Sequence, residues 1–403
     1  MFLPDGEHFL FMKFGQPEPG IYLGSLNGST AIPLTNDSVG LGYLPSGWLL
    51  QIRNGGTLIA RKLDVAKQAL VGEPVTVAED AFYASASASG LVAYRTGGIG
   101  KRQLTWVDRS GSVQSTVGAP DESIVAPRVS PDGRQIAFSR STQGKNDLWL
   151  LEGARTSRMT FGTGSTGYPV WSPDGSRVAF STSEGSSAGF FQKLANGAEA
   201  QEPLLLSPNV QFLSSWSPDG RYLLYFSFEG GATADLYVLP TTGDRKPFPY
   251  LKSPFNKVWG QFSPDGRWVA YESDESGTTE VYVRQFVVPG AASDITAAQA
   301  GQWQVSTAGG VFPMWRADGK ELYYIDPAGM MMAAPISYPG STIAPGTPVA
   351  LFQAHVWGGG TDGRKADSTT SRAMGRFLIN RVFGAESAPI TLIQNWNPGV
   401  SKQ

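Results

Sequence analysis

Trp171-Ser172-Pro173-Asp174-Gly175-Ser176-Arg177-Val178-Ala179-Phe180 decides the fold, because it returns along the chain. The copies are Trp216-Ser217-Pro218-Asp219-Gly220-Arg221-Tyr222-Leu223-Leu224-Tyr225 and Phe262-Ser263-Pro264-Asp265-Gly266-Arg267-Trp268-Val269-Ala270-Tyr271. An earlier one is Val129-Ser130-Pro131-Asp132-Gly133-Arg134-Gln135-Ile136-Ala137-Phe138, and a later one is Trp315-Arg316-Ala317-Asp318-Gly319-Lys320-Glu321-Leu322-Tyr323-Tyr324. Pro presets φ in a tight turn, Asp bonds back to nearby amides, and Gly takes the positive-φ position. An aromatic or Val precedes the turn and an alternating apolar run follows it, so the unit is a β-hairpin. Most copies carry a second strand pair: Asp147–Leu151 with Arg158–Phe161, Asp235–Leu239, Glu280–Arg284, and a weak one at Gly189–Leu194. The turn aspartates Asp132, Asp174, Asp219, Asp265 and Asp318 stand 42, 45, 46 and 53 residues apart. Four short strands per roughly 40–50 residues is the pattern of a β-propeller blade.

The period extends beyond the clear copies. Leu3-Pro4-Asp5-Gly6 repeats the turn at the start, lacking its first strand, as if cut from something longer or completed from elsewhere. Gly47 and Gly90 mark degenerate copies, and Gly375-Arg376-Phe377-Leu378-Ile379-Asn380 marks the last, followed by Ile390–Trp396. Leu63–Leu70 reads as a helical turn or a loose loop. Nine motifs result, and two architectures fit them. In the favoured one, residues 119–403 form a six-bladed propeller and residues 1–118 form three blades of a second, truncated one. In the other, all copies close into a single ring of eight or nine blades. The last unit lacks an outermost strand, and closure of a ring asks one terminus to complete the other's blade, since open edges invite aggregation. Leu104–Asp108 is the candidate for that strand.

Composition narrows the function. The 403 residues carry 49 Gly and 28 Pro, which suits turn-dense β structure. A net charge of −2 supplies no footprint for nucleic acid. The absence of cysteine removes disulfides and thiolate metal sites. No apolar run approaches a membrane span of about 18 residues, and the N-terminus does not read as a signal peptide. We therefore expect no nucleic-acid partner, no membrane contact from this chain itself, no cofactor and no metal.

Several motifs tempt and fail on context. Gly162-Thr163-Gly164-Ser165-Thr166-Gly167 matches a dinucleotide fingerprint, but a strand follows where a helix is needed. Gly185-Ser186-Ser187-Ala188-Gly189 matches a nucleophile elbow, but it sits between blade strands, and the chain has only His8 and His355 as possible bases. Gly358–Lys365 approaches a phosphate loop with its lysine displaced by Arg364. Arg364 and Lys365 remain candidate anion contacts in a binding loop. Asp274, Glu275 and Glu280 lack the spacing of a calcium loop.

The turn residues Asp5, Gly6, Asp132, Gly133, Asp174, Gly175, Asp219, Gly220, Asp265, Gly266, Asp318 and Gly319 read as scaffold, each on its own blade and far from the others. The recurring aromatics Trp171, Trp216, Phe262 and Trp315 read as packing between blades. Function then falls to unrepeated segments such as Gly358–Ser371 and Pro289–Gly301.

The Ser-Pro-Asp-Gly blades resemble TolB-type, WD-repeat-like propellers of bacteria. Nearly the whole chain also resembles the propeller regions that follow a kinase domain and membrane span in acidobacterial-type serine/threonine protein kinases. The phrases that carry this are Leu3–Leu10, Leu104-Thr105-Trp106-Val107-Asp108-Arg109-Ser110-Gly111, Glu272–Gly277 with Glu280–Val283, Trp303–Gly310, Gly375–Asn380 and Asn395-Trp396. The resemblance implies an extracytoplasmic, periplasmic module that senses or binds. The kinase motifs themselves (His-Arg-Asp, Asp-Phe-Gly, the strand lysine in context) are absent here, so kinase activity does not carry over. The expected function is a non-catalytic β-propeller that binds a protein, peptide or small molecule as the sensor or scaffold of a signalling protein. One alternative is the gating propeller of a prolyl-oligopeptidase-like peptidase whose hydrolase domain is not in this chain. A channel hydrolase or lyase would need clustered His and carboxylates, which two histidines do not supply.

Overall fold

The computed structural model describes all residues except 14–19, 29, 37, 54–55, 80, 97–100, 122, 143–144, 163, 185–186, 208, 230–232, 289–300, 357–367, 371–375, 384–389 and 397–403. The described residues contain β-strands and turns and no helix. They form nine antiparallel sheets of three to five strands, which are the blades of a β-propeller fold. Contacts divide the chain into two units, Met1–Gly100 with Gly384–Gln403, and Lys101–Phe383.

The larger unit holds six sheets. The second is typical: Ser165–Trp171 innermost, then Arg177–Glu184, Ser187–Leu194 and Glu202–Ser207. Its hairpin turn is Ser172–Ser176, the motif that opened the sequence. The weakly patterned Gly189–Leu194 segment is a full strand, because Arg177–Glu184 and Glu202–Ser207 pair with it on both sides. The innermost strands Ile124–Val129, Ser165–Trp171, Gln211–Trp216, Lys257–Phe262, Val311–Trp315 and Ser368–Thr370 touch one another in a closed cycle.

The cycle is sealed by a composite sheet. Lys101–Val107 pairs antiparallel with Phe377–Phe383 over seven residue pairs, from Lys101 opposite Phe383 to Val107 opposite Phe377. Val113–Asp121 adds as the outermost strand and Ser368–Thr370 as the innermost. The segment expected as the outermost strand, Leu104–Asp108, does join the last sheet, but Leu104–Val107 lies inside it and the outermost place goes to its neighbour Val113–Asp121. The boundary expected at 118/119 thus differs from the observed division at 100/101. Ile390–Ile393 also leaves the larger unit: it pairs with Val92–Thr96. Hydrogen bonding of a strand to its ladder partner, which spans almost the whole chain here, decides membership over proximity in sequence.

The loop after the closing strand is tied to the fifth sheet. Arg109 donates from Nη1 and Nη2 to Glu321 at 2.6 and 2.7 Å, and Arg316 donates to the same carboxylate at 2.8 Å. Beyond Arg109, Gly111 (φ +82°) lies so close to Phe352 that a Cβ would fall 2.5 Å from the Phe352 Cβ.

The smaller unit contains three sheets. His8–Lys13, Gly20–Ser25 and Ile32–Thr35 form the first; Ser38–Leu44, Trp48–Arg53, Leu58–Asp64 and Ala69–Ala78 the second. Ala81–Ala86, Val92–Thr96 and Ile390–Ile393 form the third. Leu63–Leu70 is neither helix nor loose loop but a hairpin turn, in which Lys67 N donates to Asp64 Oδ1 at 3.0 Å and Gln68 takes φ +53°. Leu50, Leu58, Val92 and Ala60 fill the core between the second and third sheets of this unit.

Candidate functional site at the mouth of the central channel

The repeated turns are held by one bond set. Ser172 Oγ donates to Asp174 Oδ1 at 2.6 Å, and accepts from Arg177 N at 2.9 Å. Asp174 Oδ1 also accepts from Ser176 N at 3.0 Å. Ser130/Asp132, Ser217/Asp219 and Ser263/Asp265 repeat the arrangement. In the fifth copy, where Arg316 replaces Ser, the guanidinium donates to both Asp318 oxygens. Asp5 accepts from Glu7 N and His8 N at 3.0 and 2.9 Å. Gly6, Gly133, Gly175, Gly220, Gly266 and Gly319 all sit at φ between +69° and +77°.

These bonds hold the turn carboxylates ionised. The Ser130 hydroxyl lowers the Asp132 pKa, the Ser172 hydroxyl that of Asp174, and the Arg316 guanidinium takes Asp318 to about 2. At Asp219 and Asp265 burial pushes upward, but the serine and arginine bonds outweigh it.

The turns are nearer to one another than expected. A Cβ on Gly175 would lie 3.5 Å from Pro131 Cδ of the preceding sheet, and one on Gly266 would lie 3.6 Å from Pro218 Cδ. Adjacent inner strands converge on the axis, so their turns pack together there. Their carboxylates are spent on their own loops. Among the described residues, no three His, Asp or Glu side chains converge as metal ligands.

The recurring aromatics lie between sheets. Trp171, Trp216, Phe262 and Trp315 are each less than a tenth exposed and pack in the apolar clusters shared with the preceding sheet. Trp171 Nε1 donates to Arg128 O at 2.9 Å, and Trp315 Nε1 to Gln261 O at 3.1 Å, so both tie neighbouring inner strands. Trp216 Nε1 instead bonds Gly220 O in its own turn, at 3.0 Å. The edges of these four side chains also line a cavity of about 140 Å³ on the axis at the turn end.

Sequence reading missed the bulged residues of the inner strands, of which Trp259 and Phe312 line this cavity. Five of the six inner strands break register about four residues before the turn begins. There Ala126, Tyr168, Trp259 and Phe312 adopt φ of +51° to +57°, rare for residues with a Cβ. Register shifts at Val125/Arg128, Gly167/Val170, Val258/Gln261 and Val311/Met314 mark β-bulges. The third sheet shifts between Leu213 and Ser215. The kinks bring aromatic rings from different sheets together on the axis. Tyr168 and Trp259 have centroids 5.6 Å apart, Tyr168 and Phe212 4.8 Å, and Trp259 and Phe312 6.3 Å. The available signal was an aromatic four residues before the turn in three of the sheets, Tyr168, Trp259 and Phe312.

The backbone amides freed at the bulges are satisfied from the neighbouring sheet. Ser181 Oγ accepts from Leu213 N at 3.1 Å, and Glu272 Oε1 from Phe312 N at 2.7 Å. Both occupy the same position of a second strand. Burial pushes the Glu272 carboxyl well above the usual carboxylate range.

Among the described residues Arg128 is the one charged residue lining the cavity, beside Gln261, Ser130, Ser214 and Ser215. Gln261 Nε2 donates to Ser214 O at 2.8 Å, and Ser215 Oγ accepts from Phe262 N at 3.1 Å. Among the described residues the mouth thus presents apolar aromatic walls, a few fixed polar groups and the Arg128 cation. Arg364 and Lys365 lie outside the described residues, as do 289–300 and 358–367 of the two unrepeated loops, whereas Ser368–Thr370 of the second is a strand of the closing sheet rather than loop.

The comparisons with known proteins agree with this geometry. Residues 90–247 match the family model described as the TolB beta propeller domain. A stretch of 132 residues is 29% identical to the Tol-Pal system protein TolB of Anaeromyxobacter dehalogenans, covering 32% of this chain and 30% of that protein. This stretch of the chain is similar to a TolB-type β-propeller. An 84-residue stretch is 37% identical to the Tol-Pal system protein TolB of Alcanivorax borkumensis, covering 20% of this chain and 19% of that protein. The chain therefore matches less than a third of the length of these curated relatives. A solved structure assigned to TolB from Agrobacterium tumefaciens superposes with a TM-score of 0.50 at 16% identity, over 70% of this chain and 99% of that one, a likeness of fold.

Proposed function

We propose that this TolB-type propeller is a non-catalytic binding module, and that its larger unit, a closed six-bladed ring, engages a partner protein or peptide at the turn-end mouth of the channel. The lining of that mouth carries the reading. At about 140 Å³ it is smaller than the roughly 300–1,000 Å³ of small-molecule sites, and it suits one side chain or chain terminus presented by a larger partner. Among the described residues Arg128, whose Nη1 donates to Pro127 O at 2.9 Å, is the charged side chain of that lining, and it favours an acidic group on the partner. Rigid inner strands hold it there, since the Trp171 indole fixes the carbonyl of Arg128 itself.

A peptide library displayed on phage and selected on the whole chain tests this. Enriched peptides should share an acidic residue beside an apolar one and lose binding tenfold or more in Arg128→Glu. Selected peptides indifferent to Arg128→Glu and to a blocking Ser214→Trp would refute the site. A role as the extracytoplasmic sensor or scaffold of a kinase-like signalling protein is supported by the phrases Leu104–Gly111 and Trp303–Gly310. Its test is the parent reading frame, where an adjoining hydrolase domain in place of kinase motifs and a membrane span would overturn it.

A further inference from the structure

A second cavity, of about 320 Å³, opens in the larger unit away from the axis, at the seam between the closing sheet and the first sheet. Its origin is local. Opposite Arg102 stands Asp121, but opposite Leu104 stands Val117, so residues 118–120 bulge from the ladder. Gly118 takes φ +71° at the start of that bulge. Gln103 fills the gap in the ladder: its Nε2 donates to Val117 O at 2.9 Å and Gly118 O at 3.1 Å. The outermost strand is thereby held off the first sheet without leaving these two carbonyls unpaired.

The walls are apolar, formed by Leu104, Val117, Ile124, Phe138 and Leu151. The charges lining it are Lys101, Arg140 and Asp121. Arg140 is committed: it pairs with Asp121 at 2.9 Å and lies over the Trp149 ring at 5.2 Å. Lys101 is exposed, and among the described residues it leaves the lining with one net positive charge. The volume falls in the range of small-molecule sites.

We propose that this seam binds an amphipathic monoanion, with an apolar chain between the sheets and its carboxylate at Lys101. The site is independent of the channel mouth, because the two linings share no residue. Burial of methylene groups supplies the affinity, and the single cation sets head-group orientation.

Titration calorimetry with decanoate, and with 1-decanol and decyltrimethylammonium as neutral and cationic controls, tests it on the whole chain. Decanoate should bind saturably at one site, tighter than either control. Ala119→Trp, at an exposed lining residue, should weaken decanoate tenfold or more while the thermal melt is kept. Lys101→Glu should weaken decanoate several-fold and leave 1-decanol unchanged. Arg128→Glu, at the channel mouth, should leave decanoate binding as it was. No saturable binding at millimolar decanoate, or binding that survives Ala119→Trp, overturns the proposal. Equal effects of Lys101→Glu on decanoate and decanol overturn its electrostatic half.

Discussion

Ser172 shows how much one hydroxyl does in a repeated turn. It donates to Asp174 and accepts from Arg177 N, so removing it takes the acceptor from Arg177 N and one of several donors from Asp174. Ser172→Ala should cost about 1 kcal/mol, read from denaturant melts of the whole chain. Asp318 makes the same point through charge. Its pKa falls to about 2 from 3.8, chiefly because Arg316 bonds both oxygens. A lowered folded pKa means stability that is complete above the unfolded value of 3.8 and lost as pH falls toward 2. In Arg316→Met the Asp318 carboxyl should titrate closer to 3.8 by NMR, and an unchanged titration would contradict the assigned cause.

At the scale of elements, the inner strand is the distinctive one. A regular strand would keep its ladder bonds, yet these strands break register at a common position. The cost is a freed amide and a backbone at positive φ, on the order of 1–3 kcal/mol where a side chain is present. The neighbouring sheet offsets part of that by supplying an acceptor, and in one sheet the acceptor is Glu272. Burial raises its folded pKa, so its contribution is fully present below the ordinary value of 4.5 and is lost as pH rises toward the folded pKa. Glu272→Gln keeps an oxygen for Phe312 N and removes the ionisable group. The variant should exceed the parent in stability at pH 8, by on the order of 1 kcal/mol, and lose that advantage at pH 4. Paired melts at the two pH values check the sign.

For the whole molecule, the decisive pairing joins residues far apart in the chain. Thr105 sits opposite Ile379 in the centre of the sealing ladder and is buried. Thr105→Pro removes a ladder donor there and should destabilise the larger unit by about 3 kcal/mol or more. A far smaller effect, in melts followed by tryptophan fluorescence, would show that closure does not depend on this ladder.

Most of the blade was legible in the sequence. The Ser-Pro-Asp-Gly turn is a local event, and the six residues from Ser172 to Arg177 contain every atom its bonds require. Its period announced the repeats, and the alternating runs after it announced the strands. Leu104–Asp108 was visible as a closing segment because a ring needs one. The allegiance of Val113–Asp121 to that same sheet, and of Ile390–Ile393 to Val92–Thr96, was not visible. Those strands belong where their hydrogen-bond partners lie, and the partners are set by closure across almost the full length of the chain. The site divides the same way. The tryptophans before each turn stood out by repetition, with their packing role. The channel floor did not, because positive φ at Tyr168, Trp259 and Phe312 is imposed by convergence of strands from different sheets. The sequence by itself determined the repeated hairpin and its charge-holding turn, whose bonds are local. Only the tertiary structure decided which strands close the ring and which side chains meet on its axis, because both depend on contacts between residues hundreds of positions apart or on separate sheets.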